Sequence, residues 1–122
     1  MLDTRTDPPN EVRVRLESID CPEKKQAFGN KAKQHLSDLV AGKTVTVHET
    51  GQDFFKRTLA FVSVGNVDVC AAMIRDGYAW EYDEYSLSET FGQLEQEARD
   101  AKRGLWGGSE TPVEPWKFRK QR

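Results

Sequence analysis

The sequence predicts a mixed α+β fold, because two kinds of periodic stretch occur along one chain of 122 residues. Residues 12–17, 44–49 and 57–64 alternate apolar with polar or are rich in β-branched side chains, as half-buried strands do. Residues 26–41, 68–76 and 86–103 repeat apolar positions every three or four and each run is followed by a glycine, as helices with one buried face do.

Residues 2–11, centred on Asp7-Pro8-Pro9-Asn10, read as a turn. A turn joins two elements, and only Met1 and Leu2 stand before this one, so strands ahead of it are expected to be missing. In the first strand Val12, Val14 and Leu16 point one way and Arg13, Arg15 and Glu17 the other. Pro22 stops the ladder in the loop Asp20-Cys21-Pro22-Glu23, since it has no N–H to donate. The first helix is expected from about Gln26 to Ala41, with Phe28, Ala32, Leu36, Leu39 and Val40 on its buried face and Gly42 as its stop. Thr44 to His48 forms the second strand, Gly51 to Lys56 a connecting turn, and Arg57 to Val64 the third strand, ended by Gly65-Asn66. Asp68 can cap a short helix that turns Val69, Ala72 and Met73 inward and closes at Gly77. Ser86 and Glu89 have capping-box spacing ahead of the last helix, whose Leu87, Phe91, Leu94, Ala98 and Ala101 recur until Gly104. The sheet residues expected inside are Val14, Leu16, Val45, Val47, Leu59 and Phe61.

Hydrophobic residues make up 37% and charged residues 31%, the balance of an ordinary folded chain. A formal net charge of -2 gives no general pull toward polyanions, so any such partner needs a local basic patch. No apolar run approaches the roughly 18 residues of a membrane span, and no membrane is expected as a partner. Met1-Leu2-Asp3-Thr4-Arg5 leads to no apolar core, so no signal peptide is read and the compartment stays open. Cys21 and Cys70 suit neither a disulfide scaffold nor a four-ligand zinc site. Two reduced thiols are expected, with one bridge between them as the alternative.

Arg15, near the end of the first strand, and Arg57, opening the third, could fork a single phosphate. Glu23 is the carboxylate placed to act on a water beside that phosphate, and Asp20 is a hard oxygen donor suited to Ca²⁺. Each residue taken singly has a plainer reading. Arg57 could pair only with Asp53, and Glu23 could only favour the positive end of the following helix.

The combination says more. Val14-Arg15-Leu16, Ile19-Asp20-Cys21-Pro22-Glu23, a helix, Arg57-Thr58-Leu59, Val67-Asp68-Val69, Gly77-Tyr78-Ala79-Trp80 and Gly104-Leu105-Trp106 follow in one order. Across roughly residues 12–106 this resembles the staphylococcal nuclease (thermonuclease) family. The resemblance implies an α+β fold with an OB-fold-like five-stranded β-barrel and three helices. It implies one nuclease-like domain over residues 1–122, with its core at about 12–106 and an extended basic tail over 107–122. It further implies a Ca²⁺-dependent endonuclease that hydrolyses single-stranded DNA or RNA to 3′-phosphates. On the family pattern Arg15 and Arg57 bind phosphate, Glu23 activates the attacking water, Asp20 ligates calcium and Cys21 supplies a backbone carbonyl to the metal. Tyr82 or Tyr85 could offer a surface on which bases stack, ordinary packing being the other reading.

The chain also departs from that pattern. An Asp-Gly-Asp-Thr stretch carrying another calcium ligand is expected ahead of Leu2, and Phe55-Lys56 stands where the family usually has Tyr-Gly. Weak or absent activity of the chain as it stands is therefore expected, with a non-catalytic nucleic-acid- or protein-binding module on the same fold as the alternative. Three strands cannot close a barrel, so self-association as a homo-oligomer, by strand swap or edge pairing, is expected as well.

Overall fold

The computed structural model describes residues 2–6, 10–53, 56–82 and 86–120, with the backbone alone at 2–6 and 10–13. Its main sheet begins with a strand inside the stretch whose composition predicts a turn. Leu2–Thr6 (β1) runs antiparallel to Asn10–Leu16 (β2), in register from Leu2↔Val14 to Thr6↔Asn10. The two prolines set the turn's composition and hid the short β-branched Thr4–Thr6 stretch that pairs beside it.

β2 lies parallel to Thr58–Val64 (β5), which pairs antiparallel with Thr46–Gln52 (β4) and with the two-residue Val67–Asp68 (β6). The order is β1-β2-β5-β4, with β6 also on β5, so among the described residues this is a five-stranded sheet with β1 and β4 at the ends of its path and no closed barrel. Ile19–Asp20 (β3) and Trp80–Glu81 (β7) form a separate antiparallel pair. The mixed α+β class stands.

Leu16 is partnered with Ala60, and Val14, Leu16, Ala60 and Val62 form the buried face of the sheet. Phe61 is partly buried and packs against the core, whereas Leu59 is only partly buried outside it and Val47 is 36% exposed, so two of the residues expected inside lie elsewhere. Side chains alternate with a period of two, and a count begun at Arg57 selects the less buried face of β5.

Three helices cover the core. Gly29–Val40 (α1) starts later than periodicity suggests, because Phe28 is left-handed (φ 67°) and residues 23–29 are taken by turns. Val69–Arg75 (α2) has the expected cap, with Asp68 Oδ1 accepting from the Ala71 N–H at 3.0 Å. Phe91–Asp100 (α3) is capped by Ser88 and not by Ser86: Ser88 Oγ accepts from the N–H groups of Thr90 and Phe91 at 3.2 and 3.3 Å. Val69, Met73 and Ile74 of α2 are fully buried, and each such side chain contributes roughly 1.5–3 kcal/mol.

Gly77 (φ 86°) and Gly104 (φ 53°) bring the exits of α2 and α3 together, with Leu105 N–H donating to Gly77 O at 2.9 Å. A Cβ on Gly77 would lie under 3.0 Å from the Arg103 carbonyl, and one on Gly104 equally close to that of Gly77. The tail is not extended. A 3₁₀ turn spans Gly104–Gly107, and Pro115–Lys120 is a fourth helix (α4). Pro115 suits a first helical position, where its missing N–H costs nothing, and it is fully buried. Cys21 and Cys70 are both free, and no described helix is long and apolar enough to cross a membrane.

Candidate active site

The site is built where β2 turns into β3. Glu17 N–H donates to Ala60 O at 2.8 Å, Ser18 takes the left-handed conformation (φ 65°), and β3 then reverses direction. Asp20 pairs with Trp80 across β3 and β7, and Tyr82 N–H extends the ladder to Ser18 O at 2.9 Å. Ser18 Oγ accepts from Leu87 N–H at 2.7 Å, tying the turn to the segment ahead of α3. Asp20 is thereby fixed on a short buried strand, with its side chain only 3% exposed.

Glu23 is held differently, by a hydrogen-bonded loop. Its N–H donates to Gln26 Oε1 at 3.0 Å, and its carbonyl accepts from the Gln26 N–H at 2.9 Å. Gly29 leaves no room for a Cβ against that same carbonyl, so the loop folds tightly over the start of α1.

The two carboxylates converge on one cation, the guanidinium of Arg119 from α4. Arg119 Nη2 donates to Asp20 Oδ2 at 2.5 Å, and Nη1 donates to Asp20 Oδ1 at 3.2 Å and Glu23 Oε1 at 3.1 Å. These bonds, those to Asp20 above all, raise the Arg119 pKa above the ordinary arginine value, against the opposing effect of burial. Arg15 adds a second positive charge, its Nη2 3.7 Å from Asp20 Oδ1.

Arg57 is clamped by Asp53, whose carboxylate accepts from its Nε at 2.6 Å and from its N–H at 2.9 Å. The parallel register sets Arg15 opposite Leu59, so Arg57, two residues earlier, belongs to Arg15's side of the sheet. Arg15, Asp20 and Glu23 are thus gathered into one charged cluster, while Arg57 stands on the neighbouring strand end held by its own turn. Desolvation pushes the Cys21 thiol from 9.0 up to about 11, which favours its protonated form.

Tyr82 lies beside this cluster. Its ring stacks on Trp116 of α4 at 5.1 Å with 6° between planes, and the Arg15 guanidinium sits 5.8 Å from its centroid. Tyr85 and Phe55 lie outside the described residues. A cavity of about 510 Å³ lies behind α4, lined by Trp80, Trp106 and Trp116 among others, and none of Arg15, Asp20, Glu23 or Arg57 borders it.

Sequence reasoning missed three participants. Glu17 is buried, with Oε1 accepting from the Ser18 N–H at 3.0 Å and Oε2 from Thr50 Oγ1 at 2.5 Å. Gln26 braces Glu23 and also donates from Nε2 to the Val113 carbonyl. Arg119 was visible only as one charge in a basic tail. The Asp20–Glu23 donor chemistry, all hard oxygen, suits a divalent cation such as Ca²⁺, and the guanidinium nitrogen shared by both carboxylates marks where positive charge is accommodated. Among the described residues no cluster of three or more acidic, His or Cys side chains could hold a metal.

A sequence model of the staphylococcal nuclease homologues matches residues 13–108. The chain belongs to the staphylococcal nuclease family. An uncharacterized endonuclease of Haemophilus influenzae is 41% identical over 110 residues, covering 90% of this chain and 61% of that protein. An uncharacterized endonuclease of Escherichia coli O157:H7 is 43% identical over 109 residues, 88% of this chain and 71% of that one. A probable staphylococcal-like nuclease of Oryza sativa subsp. japonica is 37% identical over 109 residues, 89% of this chain but 22% of that protein. Arg15, Asp20, Cys21, Glu23, Arg57 and Tyr82 all fall within the stretch matched to the nuclease family, whereas Trp116 and Arg119 lie beyond it.

Proposed function

We propose that this chain is a nuclease of the phosphodiesterase type, cutting DNA or RNA strands with Ca²⁺ and leaving 3′-phosphates. The observation that carries the reading is the convergence of the Asp20 and Glu23 carboxylates on one cationic position, with Arg15 at its rim. Family membership supports the reaction class.

Asp20, with the Cys21 carbonyl, would hold the calcium ion, which when bound neutralises phosphate charge. Glu23 accepts the proton of a water as that water's oxygen attacks phosphorus. The bond to the 5′-oxygen breaks, and the leaving alkoxide takes a proton to become a 5′-hydroxyl. Arg15 and Arg57 donate to the non-bridging oxygens, where negative charge grows at the five-coordinate stage, and donors of this kind are typically worth several kcal/mol each. Tyr82 offers its ring to a base, which suits a single-stranded substrate.

A rival reading, a binding module on the same fold, draws support from the Arg119 guanidinium resting on Glu23. Cleavage of single-stranded DNA in Ca²⁺, abolished by EGTA, separates the two. Glu23→Gln should lower the rate about 10²–10⁴-fold while a nucleotide bisphosphate still binds. A Glu23→Gln variant with full activity would show that Glu23 is not the base.

A further inference from the structure

The tail crosses the site at three points that have nothing to do with one another chemically. At its start, Gln26, the residue that braces the Glu23 loop, donates to the Val113 carbonyl. In the middle, Pro115 is fully buried and Trp116 covers the Tyr82 ring, with Trp80 6.0 Å away edge-on. At its end, Arg119 takes both oxygens of Asp20 and one of Glu23. Asp20, Glu23 and Tyr82, assigned above to metal, water activation and base stacking, are thus all engaged by one ten-residue stretch, 111–120, which lies outside the part of the chain matched to the nuclease family.

We propose that residues 111–120 form a strap that closes the active site, with Arg119 as a resident cation that a divalent ion must displace and Trp116 as a resident ring that a base must displace. This rests on the nuclease reading of the site.

The chemistry of displacement is simple. With Arg119 in place, Asp20 has no oxygen free of a donor, and Glu23 shares its carboxylate with a guanidinium when it should be accepting a proton from water. A guanidinium there also repels an arriving divalent cation. α4 has six residues, and the Arg119 side chain is 30% exposed, so its ion pairs are open to solvent on one side. A strap that is closed most of the time lowers the affinity of any ligand for the open form by the fraction open. Binding and opening are then the same equilibrium.

The test measures Ca²⁺ binding directly, by titration calorimetry of the full chain with calcium chloride. Arg119→Ala should bind Ca²⁺ roughly tenfold or more tightly than the parent. Lys120→Ala removes the same charge from an exposed neighbouring position and should change affinity little. Trp116→Ala takes away the stack, leaves every charge, and should move affinity in the same direction as Arg119→Ala. In the parent, Ca²⁺ with thymidine 3′,5′-bisphosphate should speed amide exchange over residues 115–120. Equal affinity in Arg119→Ala and Lys120→Ala, weaker binding in Arg119→Ala, or binding by neither overturns the strap, as does unchanged exchange in the liganded parent. The nuclease reading is judged separately, by cleavage at saturating Ca²⁺. A tighter Arg119→Ala variant that cuts nothing would keep the strap and sink that reading.

Discussion

Gly77→Ala should be among the most damaging single-methyl changes in the chain, and its cost can be divided into two parts. Gly77 has φ 86°, a left-handed conformation that costs a residue with a Cβ roughly 1–2 kcal/mol. The added Cβ would also lie under 3.0 Å from the Arg103 carbonyl, a backbone atom with no rotamer to change. Overpacking of that kind costs about 1–3 kcal/mol, for a total of roughly 2–5 kcal/mol. Gly65 isolates the first part: its φ is 58°, and a Cβ there meets nothing within 4 Å. Gly65→Ala should therefore cost only the conformational part, roughly 1–2 kcal/mol. Urea melts of both variants give the difference, and thermal melts should separate them by several degrees, at about 4 °C per kcal/mol for a chain of this size. The effect should reach the site, because β7 opens three residues beyond Gly77 and its Trp80 pairs with Asp20. Near-ultraviolet circular dichroism of the tryptophans should change in Gly77→Ala and not in Gly65→Ala. Equal stability losses in the two variants would refute the close-approach argument.

Cys70, fully buried on α2, has its thiol pushed from 9.0 up to about 12 by burial, so the fold favours the protonated form. That contribution is complete below pH 9.0 and is lost as pH climbs toward about 12, because the unfolded chain then holds fewer protons. Urea melts at about pH 8 and about pH 10.5 should show a loss that Cys70→Ala reduces, and parallel losses in both proteins would discard the assignment. Self-association remains expected, though on a corrected basis: β1 covers one edge of β2, and β4 is left as an end strand, largely exposed, with Val47 at 36%. Mass by light scattering should rise with concentration and fall back in Val47→Lys, since edge charge discourages strand pairing. A parent that stays monomeric at every concentration would contradict this.

What could be read from the sequence was local. Val14-Arg15-Leu16 alternates within itself, Asp68 caps a helix three residues away, and Asp20 and Glu23 lie three residues apart, so each is announced by near neighbours. What could not be read depends on partners far along the chain. Whether Ala60 or Leu59 faces inward is decided by the register with β2, and no single strand contains that information. β1 is a strand because β2 pairs with it, and two prolines between them spoke more loudly than its threonines. Arg119 is 99 residues from Asp20, and Gln26 is 87 from Val113. Tail and site also meet through the stacking of Trp116 on Tyr82 and the burial of Pro115, neither of which has a periodic signature.

The burial of Asp20 couples the tail to the phosphate site. A carboxylate 3% exposed pays a desolvation penalty of several kcal/mol unless positive charge stands against it. Here Arg119 supplies that charge in two hydrogen bonds, and Arg15, at 3.7 Å, supplies the rest more loosely. Arg15 is also the residue given to phosphate in the proposed reaction, and it cannot serve both anions fully at once. If Arg119 withdrew and nothing replaced it, Asp20 would draw Arg15 closer and the phosphate site would weaken. On the strap proposal, a divalent cation in place of Arg119 would answer the charge of Asp20 and leave Arg15 to the substrate. The metal and the tail would then be alternatives at one position, and the readiness of Arg15 for phosphate would follow from which of them is present.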